Sequence, residues 1–468
     1  MTILRYFYGK FALAVICFAT FFITSRHLND WSFHTSSLVT PSHQHPCITH
    51  ANVSDPFKAR PYDSSCTSFP ATSNILTVVK TGATESYSKI PTQLLTVLRC
   101  LPDFLLFSDM EQDIAGYHIR DSLDNVLSEA KKGNPDFDLY RRQQACVVDQ
   151  QACSSEKKRD GKPEGWNLDK YKNVHIAEKT YQLRPNYDWY LFIDADTYVL
   201  WGNLVQWLGT LKDPFTKKYY LGSMTLINDF GFAHGGSGYI LSQATMQGLA
   251  KDRFGIANQY DMKAKESCCG DYVMGLALKE ISGAHVSQSW PTINGEKPHT
   301  IPYGSRQWCH PLQFEKSFYE SNTAFDLALR FKDVYYEFVA LKLAVRRDDW
   351  DNLSEDVLYL DLDHGERYTQ QQKDRAKKPY QRFRVVAVEL DAHKSFEHCR
   401  KLCDSVSNCF QFSYHNGACT YNKSFMLGKP TAKTDDEQEK WTSGWNIERI
   451  QAWVEKQGEC KQPIWPNI

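Results

Sequence analysis

The chain has 468 residues, of which 42% are hydrophobic, 23% charged and 13% aromatic, and its 54 basic and 55 acidic residues leave a formal net charge of -1. That length exceeds what a single hydrophobic core usually fills, so a large domain and a smaller one are expected. The composition is that of an ordinary folded protein, and the even charge balance argues against a protein that works by neutralising nucleic-acid phosphates.

In chain order, residues 1–10 read as a cytoplasmic tail carrying Arg5 and Lys10. Residues 11–23, FALAVICFATFFI, are uncharged and read as a transmembrane signal anchor. No small-x-small cleavage motif closes the run, and Arg26 and His27 follow directly, which favours an uncleaved, single-pass type II anchor. The remainder would then face the secretory lumen. Thirteen of the 14 cysteines lie beyond the anchor and Cys17 lies inside it, as suits an oxidising compartment. The N-x-S sequons at Asn52, Asn352 and Asn422 read as glycan acceptors on exposed loops. Residues 24–73, rich in Ser, Thr, Pro and His, read as a stem.

Residues 74–325 alternate strands and helices, the pattern of an α/β sheet. A β-branched strand at 75–79 meets the turn Lys80-Thr81-Gly82-Ala83-Thr84 and a helix over 90–101. A buried strand at 104–109 is followed by helices over 121–131 and 168–183. The third strand, 189–193, runs into Asp194-Ala195-Asp196 and a helix bearing Leu204, Val205, Trp207 and Leu208. A strand at 219–222, the Gly235-Gly236-Ser237-Gly238 turn, a strand to Leu241 and a helix over 243–250 come next. Cys268-Cys269-Gly270-Asp271 then opens a helix with Val273, Met274, Leu276 and Leu278. Residues 326–382 are polar and read as peripheral helix and linker. A second unit, 383–460, opens with a strand at 384–389 and places Cys399 and Cys403 on one helix face, with Cys409 and Cys419 around a strand pair. Nested bridges Cys399–Cys419 and Cys403–Cys409 are one of three connectivities open to four cysteines. Cys268, Cys269, Cys309 and Cys460 are expected to be bridged, with partners undetermined.

Open α/β sheets gather ligands at the carboxyl ends of their strands, where Asp194 and Asp196 stand. Two carboxylates there can hold a divalent cation against a diphosphate and neutralise charge developing on it; the bland alternative is a pair of turn acids capping the next helix. Thr81 and Gly82, at the first strand-to-helix turn, and Asp109, ending the second strand, are candidate nucleotide contacts, against a mere tight turn and a structural Asp after a strand as the competing readings. Gly235 and Gly236 would let backbone approach a sugar, although a bend in the sheet explains them equally well. Asp271 is a candidate general base, with helix N-capping as the competing role. His310 is the candidate third metal ligand, and His234, His285 and His299 are weaker competitors.

The blocks KTGATESYSKIPTQLLTVLRCLPDFLLFSD, WYLFIDADTYVLWGNLVQWL, GGSGYILS and CCGDYVMG resemble the fungal branch of family 31 glycosyltransferases, related to Fringe and core 1 β-1,3-galactosyltransferase. The likeness spans about residues 74–320. Residues 383–460 resemble a PAN/Apple domain. The resemblance implies a GT-A fold, a UDP-sugar donor such as UDP-galactose, manganese, an inverting transfer that forms a β-1,3 bond, and a Golgi address. It also implies a glycan or glycoprotein acceptor, and a protein or carbohydrate partner for the Apple-like unit. On that pattern Asp194 and Asp196 match the metal motif, Asp271 matches the base, and Gly235 and Gly236 match the donor-side glycines. Two departures stand out. Residues 313–318 lack the histidine that relatives carry, which makes His310 a substitute nominee, and the acid pair before the last helix is reduced to Gly270-Asp271. The competing expectation is a carbohydrate- or protein-binding scaffold that keeps the transferase fold.

Overall fold

The computed structural model describes residues 66–145, 158–159, 161–304, 308, 310, 330–377, 387–437, 439–460 and 462–468. All belong to the second of two units into which the chain divides, 1–59 and 60–468. The predicted tail, anchor and most of the stem, with Cys17 and Asn52, lie outside the described residues, as do Cys309 and residues 313–318. Among the described residues no helix is long and apolar enough to cross a membrane.

The central sheet follows from runs of β-branched and aromatic residues. Its eight described strands are β1 (Ile75–Lys80), β2 (Phe104–Ser108), β3 (Gln112–Ile114), β4 (Tyr117–Asp121), β5 (Trp189–Asp194), β6 (Tyr220–Gly222), β7 (Tyr239–Ser242) and β8 (Val286–Gln288). They lie in the order β8-β6-β7-β5-β1-β2-β4-β3. β1 runs parallel to both β2 and β5, whereas β7 runs antiparallel to β5 and β6. Parallel strands covered on both faces need continuous apolar sequence, and all but the last residue of β1 and of β5 are buried.

Helices α1 (Ser86–Leu95), α2 (Glu164–Asp169), α3 (Lys172–Leu183), α4 (Trp201–Thr210), α5 (Gln243–Ala250) and α6 (Gly270–Ala277) flank the sheet. Leu76, Val78 and Phe107 of the sheet share one core with Val174 and Ile176 of α3, Met246 of α5 and Met274 of α6. The helix predicted over 90–101 instead begins at Ser86 and ends at Leu95, with a separate 3-10 turn at Leu98–Cys100. The segment 121–131, expected to be helical, opens with the last residue of β4. There the Asp121 carboxylate accepts the Leu123 N–H at 2.7 Å and the Tyr140 hydroxyl at 2.7 Å, so local turn chemistry wins over helix until Ser128–Lys131, which is helical as expected. Part of the predicted stem is packed onto the domain: Cys66 is bridged to Cys100, and Phe69 packs on Trp201 at 5.6 Å.

A second sheet holds β9 (Arg347–Asp348), β10 (Val357–Leu360), β11 (Gln411–His415), β12 (Ala418–Asn422) and β13 (Thr442–Trp445), ordered β9-β13-β11-β12-β10 with every neighbour antiparallel. Residues read as linker therefore supply β9 and β10. The apolar run Leu358-Tyr359-Leu360 is buried there despite its charged surroundings. Of the strand expected at 384–389, residues 384–386 lie outside the description and Ala387–Leu390 is a helical turn. Helix α7 (Phe396–Ser405) carries the two cysteines as expected, and the bridges are the nested pair Cys399–Cys419 and Cys403–Cys409. The second sheet is not a separate bead. Tyr303 and Phe425 exchange backbone N–H···O bonds of 2.8 and 2.7 Å, and Tyr303, Phe331 and Val339 share a core with Phe425, Trp445 and Ile450.

Two of the sequons are buried. The Asn352 side chain is 0% exposed, donating to the carbonyls of Phe412 at 3.0 Å and Gly444 at 3.3 Å while accepting from Ser354 Oγ at 2.7 Å. Asn422 Oδ1 accepts the N–H groups of Glu355 at 2.5 Å and Asp356 at 2.7 Å. Both amides are structural, which corrects the exposed-loop expectation. Glycopeptide mass spectrometry is expected to find them unmodified. Asn352→Ala is expected to destabilise the fold by about 1–3 kcal/mol in chemical denaturation, because it leaves two buried carbonyls without their donor.

Candidate functional site: a carboxylate-lined cleft

Register builds the floor of the site. In the parallel ladder of β1 and β5, Lys80 stands opposite Asp194, and their charged groups lie 3.2 Å apart. Lys80 Nζ also meets Asp169, at the end of α2, at 2.5 Å. Lys172, in the first turn of α3, lies 3.4 Å from Asp169 and 3.5 Å from Asp109. Charges thus alternate from the interior to the strand ends: Asp109, Lys172, Asp169, Lys80, Asp194. Burial opposes ionisation of Asp169, yet Lys80 and Lys172 hold its carboxyl below the ordinary carboxylate range. Burial raises Asp194, and the opposing pull of Lys80 does not fully offset it. Burial likewise opposes the Lys80 charge, but Asp169 and Asp194 together keep that ammonium firmly protonated.

Asp196 is more open, with its side chain 58% exposed against 29% for Asp194, and it meets Lys89 of α1 at 2.8 Å. The opposite lip comes from the turn that feeds β7. Gly238 has φ +77°, and a Cβ there would lie 3.1 Å from Ile193 Cγ2, so glycine is required to bring the chain across the end of β5. Thr197 Oγ1 ties this turn down by donating to the Gly236 carbonyl at 2.9 Å. Asp271, in the first turn of α6, accepts the Gly235 N–H at 2.9 Å on one oxygen and the Tyr272 N–H at 2.9 Å on the other. The contact of Gly238 with the end of β5 is the bend in the sheet that the sequence left open as one reading of these glycines.

These elements enclose a cleft of about 470 Å³, and Thr81, Gly82, Asp194, Asp196, Gly235, Gly236 and Asp271 all line it. No protein-family model matches this chain.

Two nominees do not reach the cleft. Asp109 is 1% exposed; it accepts the Ala83 N–H at 2.6 Å and faces Lys172, so it braces the first turn from beneath. His310 is absent from the lining, and its carbonyl accepts the Phe331 N–H at 3.2 Å beside the second core. His285 and His299 do not line the cleft either, but His234 does, with Nδ1 2.8 Å from Ser237 Oγ. Also in the lining are Lys89, Trp166, Asp169 and Lys172, none of them singled out in the sequence, and Cys268 and Cys269, which are bridged as expected, to each other. The α2 and α3 residues escape local pattern reading because their partners are 89 and 91 positions away.

The donor set suits a hard divalent cation. Asp194 and Asp196 offer carboxylate oxygens at one edge, each now paired with an ammonium group, Lys80 or Lys89, that an incoming cation would share or displace. Among the described residues no group of three or more His, Cys, Asp or Glu side chains is arranged to hold a metal. Two carboxylates with phosphate oxygens and water completing the shell is the usual arrangement for a cation that arrives with a diphosphate.

Proposed function

We propose that this protein is an inverting, metal-dependent glycosyltransferase of the GT-A type. It would move a hexose, galactose being the leading candidate, from a UDP-sugar to a hydroxyl of a glycan or glycoprotein, forming a β-1,3 bond. The observation that carries the reading is convergence. The Asp194–Asp196 pair at the end of β5, the Gly235–Gly236 turn and Asp271 of α6 come from three separate stretches of sequence and share one cleft.

In this reading the diphosphate lies over the ends of β1 and β5. Asp194 and Asp196 would hold the divalent cation, manganese, which when bound would supply positive charge against departing UDP. Lys80 and Lys89 add fixed positive charge at the same edge. Asp271 takes the proton of the acceptor hydroxyl as its oxygen bonds to the anomeric carbon, and the bond from that carbon to the UDP oxygen breaks with its electron pair leaving on UDP. Two hydrogen bonds to backbone N–H groups fix the Asp271 carboxylate while leaving lone pairs free. The N-terminal anchor and the Golgi membrane address, like the Apple-type assignment of the C-terminal sheet and its protein or carbohydrate partner, belong to the same proposal.

The test is UDP release by the purified full-length protein across a panel of UDP-sugars with manganese, with and without simple glycosides. Acceptor-stimulated release with one donor, abolished by EDTA and restored by manganese, is expected. UDP binding with no turnover under any pairing would favour the scaffold alternative.

A further inference from the structure

One wall of the cleft takes no part in the chemistry above. Trp166, in the middle of α2, lines the cleft with its side chain 67% exposed. Cys268 and Cys269, adjacent in sequence and joined by a disulfide, line it just before α6. Their chain segments meet at one corner of the fold. A Cβ at Gly270 would lie 3.0 Å from the Lys170 Cα and 3.1 Å from the Asp169 carbonyl, so the disulfide segment rests directly on the end of α2. That corner is held in place, since Lys170 Nζ reaches Asp136 at 2.9 Å and the Lys265 carbonyl at 3.1 Å. Asp271 follows two residues after the disulfide.

An indole and a disulfide are both apolar and polarisable, and here both line a cleft that also carries Lys80, Lys89, Asp194, Asp196 and Asp271. Such a surface beside a carboxylate matches the two-sided character of a pyranose. Its C–H face packs on rings and sulfur, while its hydroxyls reach Asp271. The phosphate-side groups, Lys80, Asp194 and Asp196, belong to different elements, β1 and β5 and the turn after it, so the apolar wall is not needed for the diphosphate.

We infer that Trp166 and the Cys268–Cys269 disulfide form a subsite for the pyranose ring of the acceptor. This rests on the glycosyl-transfer reading. Its test separates the two. Binding of methyl β-galactoside, methyl β-glucoside and methyl α-mannoside, and of a threonine-containing peptide, is measured by saturation-transfer NMR and titration on the full-length protein with manganese and UDP. UDP affinity is measured on the same samples. At least one glycoside is expected to bind and the peptide is not. Trp166→Ala is expected to weaken that glycoside roughly tenfold, Trp166→Phe to recover most of the loss, and the paired Cys268→Ala/Cys269→Ala variant to weaken it several-fold. UDP affinity should stay unchanged in all three. The subsite is overturned if no glycoside binds the wild type, if the peptide binds in their place, if Trp166→Ala leaves glycoside affinity intact, or if UDP affinity falls in parallel. Glycoside binding that depends on Trp166, in a protein that binds no UDP, would keep the sugar subsite and overturn the transfer reading alone.

Discussion

Asp271→Asn is expected to lower the turnover of the best donor and acceptor pair by about 100- to 10,000-fold, the range that a positioned general base contributes. The substitution keeps the shape of the side chain and an oxygen able to accept one of the two backbone N–H groups that now bind Asp271. It removes the capacity to take a proton, together with one of those two hydrogen bonds. UDP affinity is expected to stay within about twofold of wild type, because the diphosphate edge is built by other elements, and each factor of ten in affinity would require about 1.4 kcal/mol of lost contact. Steady-state kinetics beside UDP titration would decide it. Retained turnover would remove Asp271 from the base role. A parallel fall in UDP affinity would make it instead a brace for the Gly235 turn.

Lys80→Met should be costly for a different reason. Asp169 and Asp194 lie 2.5 and 3.2 Å from Lys80, and removing the ammonium leaves two carboxylates facing each other across a mostly covered floor. Breaking a buried ion pair by deleting one partner costs roughly 3–5 kcal/mol. The low end, about 3 kcal/mol, is expected here, because the Asp169 and Asp194 side chains retain 35% and 29% exposure. Lys80→Met/Asp194→Asn should regain part of that loss, since the neutral amide no longer repels Asp169. Denaturant titration of the single and double variants measures both. A single variant as stable as wild type would show that the alternating charges contribute nothing to the fold.

How much of this was legible in the chain depends on the range of the interaction. The strands around Val78, Leu106, Phe192 and Leu241, and the helices after Ser242 and Cys269, were readable because a buried strand or an amphipathic helix writes its periodicity into neighbouring residues. Asp194, Asp196, Gly235 and Asp271 were readable as motifs at element ends. Lys89, Asp169 and Lys172 were not, because each is an unremarkable residue on a helix until the sheet register sets it beside a partner from another part of the chain. Asp109 misled for the converse reason, since a strand-ending carboxylate looks the same in sequence whether it faces a ligand or, as here, the Ala83 N–H. The sequons at Asn352 and Asn422 misled similarly, because three residues carry no information on burial. The strands at 347–360 were missed because they are short and flanked by charge, and only the partners at 411–445 make them strands.

The most direct test of the central claim is calorimetric titration of UDP into the wild-type protein and Asp196→Asn, each with manganese and with EDTA. The Asp196 side chain is 58% exposed and pairs with Lys89 at the surface, so the variant should fold normally. The account predicts UDP binding to the wild type that needs manganese and is weakened at least tenfold in Asp196→Asn. Binding of equal strength in all four combinations, or no UDP binding by a folded wild type, would contradict it.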